Sequence, residues 1–433
     1  MNITFIGTGY VGLVSGVMMS HLGHNVTCLD TDSDKIAALK QGILPIYEPE
    51  LDKYLLENIT KGRLRFIDNY NDSLQDANAI FITVGTPSLP SGEADLQYIF
   101  AAIDNICQYA HKNCVFVIKS TVPPGTCNRL SRYLIERNFQ FDIASNPEFL
   151  REGCAIEDFL NPDRIVIGTN KKETENLLKE IYAPMTSRNI PIVSCNRSTS
   201  ELIKYASNSF LATKIAFINE MANLCEKIDG DIKQLSFGVG LDSRIGEEFL
   251  NAGPGFGGSC FPKDILALAA IAKSHNTECK VIEAVINANQ QRPKDIVAKI
   301  ANILGALSNK VITILGLSFK AGTDDIRSSP AVEIIKLLQE NNVTITVFDP
   351  VAMSNGSRYL DNLQYASSAA TSCQAADAII IATEWAEFIT LDFMNIVDHS
   401  KLPIIIDLRN ILDHDKLKQQ GFKCYSIGKR YEI

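Results

Sequence analysis

Along the chain, short runs of apolar and β-branched residues alternate with stretches whose apolar positions recur at helical spacing. Asn2 to Ile6 reads as a strand, Gly7-Thr8-Gly9-Tyr10-Val11-Gly12 as a glycine turn, the periodic stretch to Leu22 as a helix, and His24 to Leu29 as a second strand. Gly23 stands where a helix C-terminal glycine belongs. Ala79 to Val84, Val115 to Ile118, Phe141 to Ala144, Arg164 to Gly168 and Ile190 to Val193 predict further strands, separated by helical patterns such as Ser33 to Lys40. That alternation predicts a mostly parallel sheet covered on both faces.

After Cys195 the rhythm changes. Thr199 to Ile228 holds neither Pro nor Gly, and only helical patterns follow up to about Leu304, with Pro293 expected to break or start a helix. Strand and helix alternate again from Lys310 to Leu315, through a helix at about Pro330 to Gln339, to Val343 to Phe348, Ala378 to Ala382 and Pro403 to Ile406. The two ends echo each other, because His24 to Leu29 closes on Asp30 and Val343 to Phe348 closes on Asp349. The expected fold class is therefore α/β: two doubly wound Rossmann-like domains, 1–196 and 305–433, joined by a helical spine over 197–304.

Composition narrows the function. The 433 residues are enough for two or three domains at roughly 150 each. With 46% apolar and 21% charged residues the chain is neither disordered nor, lacking any run of ~18 apolar residues, expected to span a membrane. A net charge of −9 and the lack of a Lys/Arg-rich run exclude a large nucleic-acid or anionic-membrane footprint. Eleven cysteines without a C-x-x-C do not make a disulfide scaffold, and no basic residue precedes Lys35, so a reducing cytoplasm is the expected location. His21 and His24 are the one close histidine pair and there is no H-E-x-x-H, so no metal site is expected.

Gly7-x-Gly9-x-x-Gly12 follows a strand and opens a helix, where glycines allow a tight turn and let backbone N–H groups meet a pyrophosphate. Asp30 ends the next strand, where a carboxylate accepts from an adenosine ribose 2′-OH and repels a 2′-phosphate, which favours NAD over NADP. The C-terminal counterpart, Leu315-Gly316-Leu317-Ser318-Phe319-Lys320, keeps a single glycine, so a second cradle of that kind is not expected. Lys320 and Arg327 past that strand have two readings, as phosphate-neutralising groups or as solvated basic residues.

The densest signal is Asn251-Ala252-Gly253-Pro254-Gly255-Phe256-Gly257-Gly258-Ser259-Cys260-Phe261-Pro262-Lys263-Asp264. Its glycines press backbone close against a neighbour, and Cys260 stands at the loop exit ahead of a helical stretch. That thiol is either a nucleophile activated near a helix N-terminus or one more packing cysteine. Lys204 and Asn208 share one helix face, although Glu201, three residues before Lys204, makes a plain surface pair the simpler reading of the spacing alone. Glu148 and Glu152 have the same spacing just past a strand; they suit proton handling if each raises the other's pKa, or serve as helix-start carboxylates.

In these residues the chain resembles the nucleotide-sugar 6-dehydrogenase family. The match runs in order through Gly7 to Gly12, Lys119-Ser120-Thr121-Val122-Pro123, Asn146 to Gly153, Lys204 with Asn208, the Cys260 loop, and Ser318-Phe319-Lys320 through Arg327. Thr383-Glu384-Trp385 and Asn251 to Phe256 are similar to the family's UDP-glucose branch. The resemblance implies NAD as cofactor and a four-electron oxidation of the C6 alcohol of UDP-glucose to a carboxylate, with GDP-mannose or a UDP-N-acetylhexosamine as the alternative substrate.

Carried onto matching positions, it implies that Cys260 holds the C6 aldehyde as a thiohemiacetal and then a thioester. Lys204 and Asn208 would stabilise the C6 oxyanion, Asp264 would share proton transfer with Lys204, and Thr121, Glu148 and Glu152 would attend water and substrate. The implied cofactor site is Gly7, Gly9, Tyr10, Val11, Gly12, Asp30, Lys35, Thr86, Thr121, Glu152, Lys263 and Arg327. The implied substrate contacts are Glu148, Phe149, Leu150, Glu152, Lys204, Asn208, Phe249, Leu250, Asn251, Gly253, Gly257, Cys260, Phe261 and Lys320. Arg244 would reach the partner subunit's substrate site, making a homodimer through the helical spine the minimum assembly.

Overall fold

The computed structural model describes residues 1–70, 74–397 and 402–430. By packing, the chain divides into two compact units: Met1–Ser207 with Ala270–Asn276, and Asn208–Ala269 with Thr277–Ile433.

The first unit is built on eight strands: β1 (Asn2–Ile6), β2 (Asn25–Leu29), β3 (Leu64–Ile67), β4 (Ala79–Ile82), β5 (Val115–Ile118), β6 (Asp142–Ser145), β7 (Ile165–Gly168) and β8 (Ile192–Cys195). Their order is β3-β2-β1-β4-β5-β6-β7-β8. Pairing is parallel except between β6 and β7, which meet antiparallel at Ser145 and Gly168. Because successive side chains point to opposite faces, Phe5, Phe81 and Val117 enter one apolar core with Leu13 and Val17 of the helix Tyr10–His21. Ile6, Ile80, Ile82 and Phe116 enter a second core with Ile99, Ile103 and Leu130. Continuous apolar runs such as β4 and β5 are what a sheet covered on both faces requires. The strand order reverses between β1 and β4, so the crevice at their C-terminal ends is the place for a ligand. Gly23 has φ 101°, as the helix-end reading required.

The second unit holds β9 (Val311–Leu315), β10 (Thr344–Phe348), β11 (Gln364–Tyr365), β12 (Ala378–Ile381), β13 (Ile404–Asp407) and β14 (Cys424–Ser426), all parallel, in the order β11-β10-β9-β12-β13-β14. This repeats the first six positions of the other sheet. The long helix Arg197–Ile228 runs unbroken through the Ser207/Asn208 division between the units.

Pro293 corrects an expectation: it lies inside the helix Lys280–Leu304, which continues through it. Side chains anchored just ahead of the proline hold the helix there. Asn289 brackets the backbone N and O of Phe256 at 2.9 and 3.0 Å, and Arg292 donates to the Gly253 carbonyl at 3.0 Å and to Asn223 at 2.6 Å. Among the described residues no helix is long and apolar enough to cross a membrane.

Candidate active site

β1 delivers the chain into the glycine turn. A Cβ on Gly12 would lie 1.9 Å from the Gly7 carbonyl oxygen, so the third glycine is required for the helix Tyr10–His21 to close on the strand. A Cβ on Gly9, the N-cap of that helix, would meet no protein atom within 4 Å, which leaves the helix N-terminus approachable by a phosphate. Asp30 follows β2, and its Oδ2 accepts from the Thr8 N–H and hydroxyl, both at 2.8 Å, and from Lys35 Nζ at 3.1 Å. Oδ1 accepts from the Asp32 N–H at 3.1 Å. Burial works to raise this carboxyl, but the Thr8, Asp32 and Lys35 donors outweigh it and hold the group below its ordinary value. Of its two oxygens, Oδ1 carries the lighter load and retains room for a ribose hydroxyl. The turn and the carboxylate thus fit NAD.

The ends of β4 and β5 are tied together, since the Thr86 hydroxyl donates to the Thr121 carbonyl at 2.9 Å. Lys119, just past β5, is buried, and its Nζ lies 3.2 Å from Asn146 Oδ1 and 3.4 Å from the Tyr182 hydroxyl. Burial lowers its pKa to about 8, against the charge of Glu148 and with that of Lys204. Past β6, Glu148 forms an ion pair with Lys204 at 3.0 Å, each side chain only 4% exposed. Phe149 lies with Arg164 over its ring at 3.6 Å and Lys204 at 5.4 Å.

Three readings are corrected here. Residues 146–150 are not helical, so the spacing of Glu148 and Glu152 puts them on no common helix face. Glu148 is not pushed up by its neighbour; burial raises it, but the Lys204 charge and the donors around it win, and its pKa is lowered. Lys204 is not a surface lysine paired with Glu201, whose oxygens instead accept from the Gly125 and Cys127 N–H groups at 2.6 and 2.7 Å. Glu152 itself sits between the Arg151 N–H, which donates to Asp158 at 2.8 Å, and the Gly153 N–H, which donates to Glu48 at 2.7 Å.

In the second unit Cys260 immediately precedes the helix Phe261–Ser274, and its carbonyl accepts from the Asp264 N–H at 3.0 Å. It is half-buried, with Sγ 3.6 Å from the Ser259 hydroxyl. Burial pushes up the thiols of Cys28, Cys107, Cys114, Cys127, Cys195, Cys225, Cys373 and Cys424, away from the lowered pKa that a nucleophilic thiol needs. Asp264 is buried in the first turn, where Asn208 Nδ2 donates to Oδ2 at 2.6 Å and Lys263 pairs with Oδ1. The rings of Phe249 and Phe256 flank Phe261 at 6.1 Å. Phe249 holds a left-handed φ of 65°, a conformation a bulky residue adopts only under constraint.

The glycines of this loop approach their own chain. A Cβ on Gly257 would stand 2.2 Å from the Ser328 carbonyl oxygen, and the Gly258 N–H donates to the Arg327 carbonyl at 2.8 Å. Leu250 turns its side chain into the core, which leaves its backbone as the part available for binding. Gly253 has both backbone groups engaged, by Asn219 and Arg292. Asn251 is exposed. Of the three basic candidates, Lys320 lies over the neighbouring Phe319 ring, Arg327 clasps Asp325, and Arg244, 87% exposed, clasps Asp242.

Comparison with known proteins places this geometry. Residues 1–186 match the NAD binding domain, 198–291 the central domain and 313–414 the UDP binding domain of one family of models. The chain belongs to the UDP-glucose/GDP-mannose dehydrogenase family. It is 57% identical to a UDP-glucose 6-dehydrogenase of Rickettsia felis over 100% of this chain and 97% of that protein. It is 45% identical to a UDP-glucose 6-dehydrogenase of Rhizobium meliloti over 99% of this chain and 100% of that protein. Among solved structures, a UDP-glucose dehydrogenase from the hyperthermophilic archaeon Pyrobaculum islandicum superposes with a TM-score of 0.91 at 36% identity, covering 99% of this chain and 98% of that one.

Two residues of this dehydrogenase escape sequence reasoning. Glu48 is buried and accepts from Tyr10, Gly153 and Ala155, partners as many as 107 positions away that no local spacing announces. Arg409 donates to the carbonyls of Ala382 and Phe319 at 2.7 Å and pairs with Glu384 at 3.0 Å. Its place just past β13, at the ligand edge of a doubly wound sheet, was the available signal.

Proposed function

We propose that this chain acts as a UDP-glucose 6-dehydrogenase, converting UDP-glucose to UDP-glucuronate with NAD as hydride acceptor. The observation that carries the reading is Cys260, a half-buried thiol at the start of the helix Phe261–Ser274, one turn from the Asp264–Asn208 pair. When bound, NAD+ would supply the hydride acceptor for two oxidations at C6, of the alcohol and of the thiohemiacetal. Gly7 to Gly12 and Asp30 seat its pyrophosphate and ribose, with Thr86, Thr121, Glu152, Lys263 and Arg327 as further contacts.

Lys204, paired with Glu148, and Asn208, whose amide has a second N–H beyond the one given to Asp264, hold the C6 oxygen as negative charge develops. Cys260 adds its sulfur to the aldehyde carbon; the C–S bond forms and the C6 oxygen takes up a proton. The tetrahedral adduct presents a C–H where a free aldehyde hydrate would escape. After the second oxidation the sulfur holds a thioester. Water, deprotonated by Asp264 or Glu152, adds to it, the C–S bond breaks and the thiol is restored. Glu148, Phe149, Leu150 and Phe249 to Gly257 line the substrate, with Lys320 at the sugar or phosphate.

We also infer a homodimer in a reducing cytoplasm, where the eleven free thiols persist. Phe210, Phe217 and Leu224, spaced by seven along one helix, are 66%, 46% and 49% exposed, an apolar stripe that a second copy would cover, bringing Arg244 to its neighbour. A monomeric mass by light scattering would remove that assembly.

The decisive experiment counts NADH on limiting UDP-glucose. Two NADH per sugar are expected from the intact chain, and no UDP-glucuronate from Cys260→Ala. Full turnover by that variant, or a higher kcat/KM on GDP-mannose or a UDP-N-acetylhexosamine, would overturn the mechanism or the substrate respectively.

A further inference from the structure

We infer that Glu48 is a positioning residue of the reaction: its buried carboxylate ties the helix that opens at Tyr10 to the loop that carries Glu152, so that cofactor seat and water-handling carboxylate are held as one piece. This rests on the roles proposed above for Tyr10 and Glu152.

The geometry is a three-way clasp. Oε2 accepts from the Gly153 N–H at 2.7 Å and Oε1 from the Ala155 N–H at 2.7 Å, and the Tyr10 hydroxyl donates to Oε2. Gly153 N–H also reaches the Tyr10 hydroxyl oxygen at 3.0 Å, closing a triangle. Burial, then the hydrogen bond and charge of Glu48, push the Tyr10 hydroxyl above its ordinary value, so it stays protonated and remains a donor. Glu48 is 5% exposed, and its two oxygens accept from three protein donors.

What the clasp holds is specific. Glu152 is the residue immediately before Gly153, which has a left-handed φ of 79°. On its other side the Arg151 N–H is fixed to Asp158, and the Arg151 guanidinium forms an ion pair with the same carboxylate at 2.7 Å. The backbone is therefore pinned on both sides of Glu152, which narrows the positions its own carboxylate can take. A residue serving only to cap the helix Ala155–Leu160 would need the Ala155 N–H alone. Two of the three donors lie elsewhere, and one belongs to the first residue of the cofactor helix.

The test uses the full-length enzyme with Glu48→Gln, which keeps the size but replaces one acceptor oxygen by an amide NH2 that cannot accept from Gly153 or Ala155. Unmaking one such buried bond predicts a fall in kcat of about tenfold. With thioester hydrolysis slowed, a rapid burst of NADH should precede the slow steady state. The KM for NAD+ should rise, and Tyr10→Phe should move the same readouts less, without adding to Glu48→Gln in the double variant.

Independently of substrate, amide hydrogen exchange over residues 151–155 should speed up in Glu48→Gln. Unchanged exchange there overturns the clasp, and faster exchange with unchanged kcat, burst and NAD+ KM overturns the positioning role. Wild-type protein that makes no NADH from UDP-glucose would instead refute the function on which this rests, while the exchange result would still decide the clasp. Should Glu48→Gln fail to fold, Tyr10→Phe carries the same kinetic and exchange outcomes.

Discussion

Gly7 after β1 and Gly316 after β9 occupy the same place in their sheets, with left-handed φ values of 96° and 104°, and each lies against a threonine, Thr83 and Thr383. Each neighbouring strand closes on an aspartate. There the likeness stops. Asp30 leaves Oδ1 with one donor, the Asp32 N–H. Asp349 is fully buried and spent: Oδ2 accepts from Leu317 N–H, Ser318 N–H, the Ser318 hydroxyl and Trp385 Nε1, while Oδ1 accepts from Val351 and Ala352 N–H. Two residues after Thr83 stands Gly85, where a Cβ would meet nothing within 4 Å; two residues after Thr383 stands the indole of Trp385. Where the first lobe has Gly9, the second has Ser318. One strand plan therefore yields a dinucleotide seat or a self-satisfied loop, according to whether a carboxylate oxygen and the space above the turn are left for a ligand.

The sharpest way to break this contrast is Asp349→Ala. Six donor contacts, four of them buried, would lose their acceptor, and a loss of about 4 kcal/mol or more in urea unfolding, or failure to fold, is expected. A loss no larger than that of Asp30→Ala would show that the two aspartates do the same work.

Next comes Lys119, the cation just past β5, where the residue just past β13 is the buried Leu408. With a folded pKa lowered from 10.5 to about 8, the folded state gives up its proton across that window while the unfolded chain keeps it. The unfolded state binds more protons there, so this group makes stability rise with pH between about 8 and 10.5, by on the order of 3 kcal/mol, and the cost is fully present below 8. Lys119→Met should lack that rise. Parallel pH–stability curves for wild type and variant would remove it.

The smallest effect is expected of Asp30→Ala. Loss of the ribose contact should raise the KM for NAD+ about tenfold, ~1.4 kcal/mol, and narrow the preference over NADP+, with a smaller loss in unfolding than Asp349→Ala. An unaltered ratio of kcat/KM for the two cofactors would contradict the seat assigned to Asp30.

Sequence reasoning reached the parts of this contrast that lie close together in the chain. Gly7 to Gly12 with Asp30, and the single glycine at Gly316, follow one another within a strand–turn–helix unit whose spacing is diagnostic. β3 was missed because exposed Arg65, donating to Thr27 at 2.7 Å, interrupts its apolar run, and β11 and β14 are only two and three residues long. The candidate site was half legible. The glycine loop singled out Cys260, with a packing role as the other reading, and Asp264 came in only through the resemblance. The pairing of Lys204 with Glu148 was not legible, because spacing reports neighbours on one helix and pointed to Glu201, whose carboxylate is taken by N–H groups more than seventy residues back. Glu48 is invisible for the same reason: its partners Tyr10, Gly153 and Ala155 lie far from it in the chain.

The return of Ala270–Asn276 to the first unit sets an order of manufacture. A ribosome has released every element of the eight-stranded sheet long before that short helix end is made, yet the unit lacks a piece until then. Cys260 is translated inside the interval. The first unit is thus completed only after Cys260 has been made, and a chain ending before residue 270 lacks one segment of that unit.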